Sequence, residues 1–340
     1  MALPMLTPGR RRRKRWPLVV AALALAAAVL AAAHAARSHG GRGATTHAAT
    51  ATTAPKRKPT PAKKAKAKPH SQRRASVVVS HEILLKKGGA LHVHQFSPRL
   101  GARGAIVVNE RTGQVLWALS PYRRLPIAST TKIMTALLTL EHLPPRHVVT
   151  VSWMVPRVPL IREGLRAGER VPVRKLLYAL LLYSGNDDAL ALAQATAGSR
   201  RGFVRLMNQR ARALGLRSTH FTTPSGVIDR GNYSSAWDMA ALTRYARRNA
   251  LFRRIVRTHI KRFAWPPPTY SKIYVNKNAL LTLYRGADGV KTGWTTKAQH
   301  CLVASAHRGR VHLIAVVLGS PDAFTDARRL LDYGFRLRGR

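Results

Sequence analysis

Three short motifs carry the residue types that acyl transfer needs. The first is Ser129-Thr130-Thr131-Lys132 in "IASTTKIMTALL", which sets a hydroxyl one helical turn before an amine. If the helix begins at Ser129, the two side chains share a face and come within reach of each other. A free serine hydroxyl is a poor nucleophile and requires an adjacent base. Lys132 is such a base only where burial or a second cation destabilises its ammonium form. The same residues also suit a helix N-cap followed by an exposed lysine. With 17 serines in the chain, about one S-x-x-K is expected by chance, so the pair alone decides little.

The second motif, Ser184-Gly185-Asn186, falls in a loop between the apolar helical stretches "LLYALLLY" and "DDALALAQATAG". The third, Lys291-Thr292-Gly293, sits on the strand-like "GVKTGWT". The order S-x-x-K, S-x-N, K-T-G, with gaps of about 55 and about 105 residues, is that of penicillin-binding proteins and serine β-lactamases. The combination has a joint rationale. Lys291 near Lys132 supplies the second cation that keeps Lys132 deprotonated, and a K-T-G strand at a sheet edge can hold an extended peptide by backbone pairing.

Four longer blocks extend the likeness: "RRLPIASTTKIMTALLTLEHL", "GLRAGERVPVRKLLYALLLYSGNDDALALA", "FVRLMNQRARALGLRSTHFTTPSGV" and "ADGVKTGWTTKAQHCLVASA". On these the chain resembles the low-molecular-weight D-alanyl-D-alanine carboxypeptidases, serine peptidase family S11, over roughly residues 101–335. The resemblance implies that Ser129 attacks the carbonyl between the two terminal D-alanines of a peptidoglycan stem peptide, forming an acyl-enzyme and releasing D-Ala. Lys132 would take the serine proton. Ser184 and Asn186 would relay the proton and hold the substrate amide. Lys291, Thr292 and Gly293 would receive the terminal carboxylate, and the backbone N–H groups of Ser129 and Trp294 would hold the oxyanion. β-Lactam antibiotics are then expected as covalent inhibitors, with no cofactor and no metal. A D,D-endopeptidase of the same family and an inactive relative that binds wall or other polyanions are the alternative readings.

Two departures sharpen the expectation. No glutamate follows Glu169, whereas a class A β-lactamase places its deacylating glutamate between the second and third motifs. Family members also bring an arginine to the carboxylate site shortly before a closing Leu-Leu-x-x-Gly-Phe. Here that stretch reads "SPDAFTDARRLLDYGF", with Arg328 and Arg329 at the wrong offset.

The elements that must position these motifs are legible from periodicity. "GAIVVNERTGQVLWAL" reads as a hairpin turning at Arg111-Thr112-Gly113. Ile133, Ala136, Leu137 and Leu140 recur at helical spacing, and "VRKLLYALLLYS" is apolar almost all round, which predicts a buried helix. "GVKTGWT", "HCLVASA" and "VHLIAVVLG" read as strands, and "DARRLLDYGFRL" as a closing helix. Strands at both ends of a helical middle predict an α+β fold whose first and last strands are neighbours. The resemblance makes this a β-lactamase/transpeptidase-like antiparallel sheet with a helical subdomain.

Charge adds a partner question. The chain has 59 lysines and arginines against 13 acids, a net +46. The first 100 residues hold 20 of the former and only Glu82 of the latter, so residues 101–340 still carry a surplus of 27. Such a charge draws a protein to anionic polymers, or reflects an arginine-rich solvated surface. Residues 1–15 read as a basic cytoplasmic segment and 16–36 as a transmembrane anchor or signal peptide. Residues 37–100 read as a disordered basic linker and pre-domain segment, and 101–340 as the catalytic domain. The linker is expected to meet anionic lipids or wall polymers outside the membrane, and no specific nucleic acid is expected. Cys301, the one cysteine, reads as a buried, inert thiol, and His92 and His94 are too isolated for a metal site.

Overall fold

The computed structural model describes residues 85–86, 97–227, 231–264 and 271–338. The chain divides into two units, Met1–Ser71 and Gln72–Arg340, and everything described lies in the second. The segments 1–15 and 16–36, and most of 37–100 with His92 and His94, fall outside the described residues. Among the described residues no helix is long and apolar enough to cross a membrane.

Five antiparallel strands form the central sheet: β1 (Gly104–Asn109), β2 (Val115–Leu119), β3 (Ala287–Thr295), β4 (Gln299–Arg308) and β5 (Val311–Ser320). Their order is β2-β1-β5-β4-β3, so the first and last strands of the domain pair, with Val107 opposite Ala315. The β1–β2 turn falls at the expected Arg111-Thr112-Gly113, where Gly113 takes φ +76° and the Asn109 side chain accepts from the Thr112 N–H at 3.0 Å. β3, the strand of the K-T-G motif, is an edge strand, the position from which it can pair with an extended peptide.

The unbroken apolar run of β5 follows from burial on both faces. Ile314, Val316 and Leu318 enter one core, while Leu313, Ala315 and Val317 enter another, as the two-residue period of a strand requires. The second core is closed by α7 (Ala323–Arg338) through Ala327, Leu330, Leu331 and Phe335. The first and larger core joins the sheet to the helical middle: α1 (Lys132–His142), α2 (Val173–Tyr178), α3 (Asn186–Ala197), α4 (Arg200–Ala213), α5 (Ala236–Ala246) and α6 (Ala250–Val256). α2 runs on into a π-helical turn, Ala179–Tyr183, and Leu176, Leu177, Leu180, Leu181 and Leu182 are all at most 1% exposed. That burial is why the segment is apolar on every side.

Two expectations need correction. Leu85 is 1% exposed and belongs to the larger core, and Lys86 pairs with the Gly113–Val115 backbone. Part of the pre-domain segment therefore belongs to the folded body, because its leucine has apolar partners there. Nor does the long helix begin at Ser129. A 3-10 turn, Ala128–Thr131, carries the serine, α1 starts at Lys132, and no side chain caps either element. The Ser129 hydroxyl is thus not engaged as a cap.

Candidate active site

The three motifs converge on one cleft of about 810 Å³. Ser129 and Asn186 line it, with Ser184, Thr292, Gly293 and Trp294. The 3-10 turn is held by Thr130, whose hydroxyl donates to the Ile127 carbonyl, and by Thr131, which accepts from Asn232 Nδ2 at 3.2 Å. Ala128 takes the left-handed φ of +46° just before the serine, a cost sustained by this surrounding network. Gly226, at φ +75°, lies so close that a Cβ there would fall 2.0 Å from the Ala128 carbonyl oxygen.

Lys132 is fully buried, and its Nζ contacts three oxygens: Ser129 Oγ at 3.0 Å, Asn186 Oδ1 at 2.9 Å and the Ser225 carbonyl at 3.0 Å. The amide orientation of Asn186 is set by its other end, where Nδ2 donates to the Pro159 carbonyl at 3.1 Å. Its Oδ1 is therefore an acceptor only, as is the Ser225 carbonyl. A neutral amine has two N–H groups and one lone pair. Two obligate acceptors take both N–H groups, which leaves the lone pair for the one partner able to donate, the Ser129 hydroxyl.

Electrostatics favour that neutral form. Burial pushes the Lys132 ammonium well below the usual lysine range, and Lys291 pushes it further in the same direction. The second cation anticipated from the sequence is thus present, but burial is the larger cause. Lys291, itself 1% exposed, is lowered to about 7 by burial and then by Lys277. Its Nζ donates to the Thr292 carbonyl at 2.9 Å.

Ser184 closes the π-helical turn at φ +74°, ψ +36°, with its N–H on the Ala179 carbonyl. This left-handed conformation ends the helix. The hydroxyl is buried and has no hydrogen-bond partner among the described residues. Asn186 then starts α3, and Asp187 accepts from the backbone N–H groups of Glu163, Gly164 and Leu165 at 3.0, 2.9 and 3.2 Å. Those bonds hold the preceding loop, whose Leu160 and Ile161 form an apolar wall of the cleft. On the opposite wall, β3 packs directly on the serine turn. A Cβ on Gly293 would meet Ser129 N at 3.0 Å and both Ile127 O and Thr130 N at 3.1 Å.

Sequence reasoning missed several contributors. Ser225 supplies a backbone carbonyl, which no side-chain motif announces, although "TPSGV" stood within a recognised block. Lys277, Lys297 and His300 also line the cleft, whereas Arg328 and Arg329 are exposed on α7 and do not; Ala323 and Phe324 line it instead. Among the described residues no carboxylate lines the cleft. Cys301 is buried as expected, with its thiol pushed up to about 11 by burial. Among the described residues one cluster, Asp288 with His307 and His312, brings potential metal ligands within 4.8 Å. It lies outside this cleft, and the Asp288 carboxylate is already taken by Arg247 and Ser305.

The model of the peptidase family S11, D-alanyl-D-alanine carboxypeptidase, matches residues 92–322. The chain belongs to this family. It is accordingly a serine-type peptidase with the α+β fold of the penicillin-binding proteins. Among its relatives, the D-alanyl-D-alanine carboxypeptidase DacF of Bacillus subtilis is 35% identical over 69% of this chain and 62% of that protein, so the chain spans less than two thirds of that relative's length. The D-alanyl-D-alanine carboxypeptidase of Streptomyces strain K15 is 35% identical over 78% of this chain and 99% of its own length. The crystal structure of the Streptomyces K15 DD-transpeptidase superposes with a TM-score of 0.67 at 33% identity, covering 71% of this chain and 99% of that one. A D-alanyl-D-alanine endopeptidase of Pseudomonas aeruginosa is 32% identical over 68% of this chain.

Proposed function

We propose that this member of the family removes the terminal D-alanine from peptidoglycan stem pentapeptides, with Ser129 as nucleophile and Lys132 as its base. The observation that carries the reading is the set of three contacts to Lys132 Nζ, which leaves its lone pair facing the Ser129 hydroxyl. In the first step Ser129 Oγ bonds to the penultimate D-Ala carbonyl carbon while its proton passes to Lys132. The resulting oxyanion rests on the backbone N–H groups of Ser129 and Trp294. Collapse breaks the peptide bond, and the departing D-Ala nitrogen takes the proton from Lys132 through the unpartnered Ser184 hydroxyl. Water then attacks the acyl-enzyme by the same proton route in reverse.

Asn186 would hold the substrate amide. The terminal carboxylate would lie along Thr292 and Gly293 over the charge of Lys291, and Lys277 and Lys297 add positive charge to the same cleft. That no glutamate follows Glu169 in the sequence supports a persistent acyl-enzyme with β-lactams rather than rapid class A β-lactamase turnover. Delivery follows from residues 1–36 as anchor or signal, with the basic linker reaching anionic lipids or wall polymers.

Incubation of the protein with a pentapeptide muropeptide, followed by mass spectrometry, tests the reading. Loss of one D-Ala is expected. Cleavage of a cross-linked dimer without that loss would favour the endopeptidase reading, which the Pseudomonas relative motivates. No product from either would remove the enzymatic account.

A further inference from the structure

A second cleft, of about 830 Å³, opens at the end of the sheet away from Trp294, beside Asp288 at the start of β3 and the β4–β5 turn. Six arginines reach it from separate elements: Arg111 from the β1–β2 turn, Arg244 from α5, Arg247 and Arg248 after it, and Arg253 and Arg257 from α6 and its end. His307 and His312, stacked across β4 and β5 with ring centroids 5.3 Å apart, complete the wall. Scattered arginines were to be expected on so basic a chain. Six around one concavity were not.

The two carboxylates in the cleft do not neutralise it. Glu110 and Asp288 are both held by Arg247, at 2.7 and 2.9 Å, and that guanidinium is only 2% exposed. Ser305 adds a further bond to each partner, accepting from Arg247 at 2.8 Å and donating to Asp288 at 2.6 Å. These acids thus form a floor around one arginine, Arg247. Arg111, Arg248 and Arg257 make no ion pair among the described residues, and all three are exposed. Arg248 faces Arg244 closely enough to push its guanidinium below the usual range, in addition to the effect of burial. Arg111, Arg248 and Arg257 thus bring like charges to a concave surface whose two described carboxylates are engaged by Arg247, and an anion would relieve that arrangement. A divalent cation at Asp288, His307 and His312 would enter against this field and would have to displace Arg247.

We propose that this cleft binds an anion carrying two or more phosphoryl groups, held by the forks of Arg248 and Arg257 together with Arg111. Planar guanidinium groups match phosphate oxygens in pairs, and several around one cleft suit linked phosphates better than a lone one. This site is separate from the Ser129 cleft, and its existence does not rest on the proposed peptidase reaction.

Titration calorimetry of the full chain with inorganic pyrophosphate tests it, comparing wild type with R248A/R257A and with the charge-matched R200A/R201A at the start of α4. Saturable binding is expected, weakened about tenfold or more in R248A/R257A and unchanged in R200A/R201A. Penicillin acylation should be equal in all three proteins, which shows that the variants are folded. Equal weakening in both double variants would assign the binding to general charge and overturn the proposal, as would the absence of saturation. Displacement of pyrophosphate by a monomeric short-chain cardiolipin, which carries two phosphates, would assign a lipid headgroup, and displacement by triphosphate alone a soluble anion; either supports the site. Displacement by neither would count against it.

Discussion

The Nζ of Lys132 lies 3.0 Å from Ser129 Oγ, and both residues are buried, in a turn that no side chain caps. The contact joins two residues three apart in sequence, but the chemistry of the lysine is decided by residues 54 and 93 positions away, Asn186 and Ser225. Replacing Asn186 with Ala removes one of the two acceptors that orient the amine. The acylation rate should fall by about tenfold to a hundredfold with little loss of stability, as stopped-flow measurement with a chromogenic β-lactam would show.

The pH profile of kcat/KM should be a bell whose limbs belong to two lysines. Lys132 must be neutral to accept a proton, so the rate rises through its lowered pKa. Lys291 must be charged to attract the carboxylate, so the rate falls above about 7. Lys277 depresses both groups. Lys277→Met should therefore raise both and move the whole bell to higher pH. An unmoved profile with a pentapeptide substrate would contradict this electrostatic account.

Gly293→Ala tests the packing of β3 on the serine turn. The added methyl would press on Ser129 N and Thr130 N, so the strand and the nucleophile must separate. Acylation should slow by about a hundredfold, while thermal unfolding changes far less.

Asp188 offers a prediction about stability. It is fully buried against Glu163, and as a carboxylate neither of its oxygens has a donor. Burial, and then Glu163, raise its pKa well above the carboxylate range, so the folded protein holds a proton that the unfolded chain releases. The sign follows: this stabilisation is present at acid pH and is lost as pH rises towards the folded pKa. Asp188→Asn should melt at a higher temperature than wild type at pH 8, by roughly 5 °C, with the difference closing towards pH 4.

Much of the architecture was legible because it is written in local patterns. The hairpin turn at Gly113 and the pairing of the first and last strands follow from turn chemistry and strand periodicity. The site was legible as far as side-chain motifs reach. The Ser225 carbonyl, Lys277 and the shared burial of Asp188 and Glu163 were not, because they depend on segments brought together only by the fold. The helix-cap reading of Ser129 failed for a related reason: the tight 3-10 turn is imposed by Thr131, Asn232 and the close approach of Gly226, none of which a helical period reveals.

The most direct test of the account is covalent labelling by penicillin followed by peptide mapping. Wild-type protein should carry a single adduct on the peptide containing Ser129, and Ser129→Ala should carry none while melting within a few degrees of wild type. An adduct that persists in Ser129→Ala, or maps to another residue in the wild type, would contradict the assignment of Ser129 as the nucleophile.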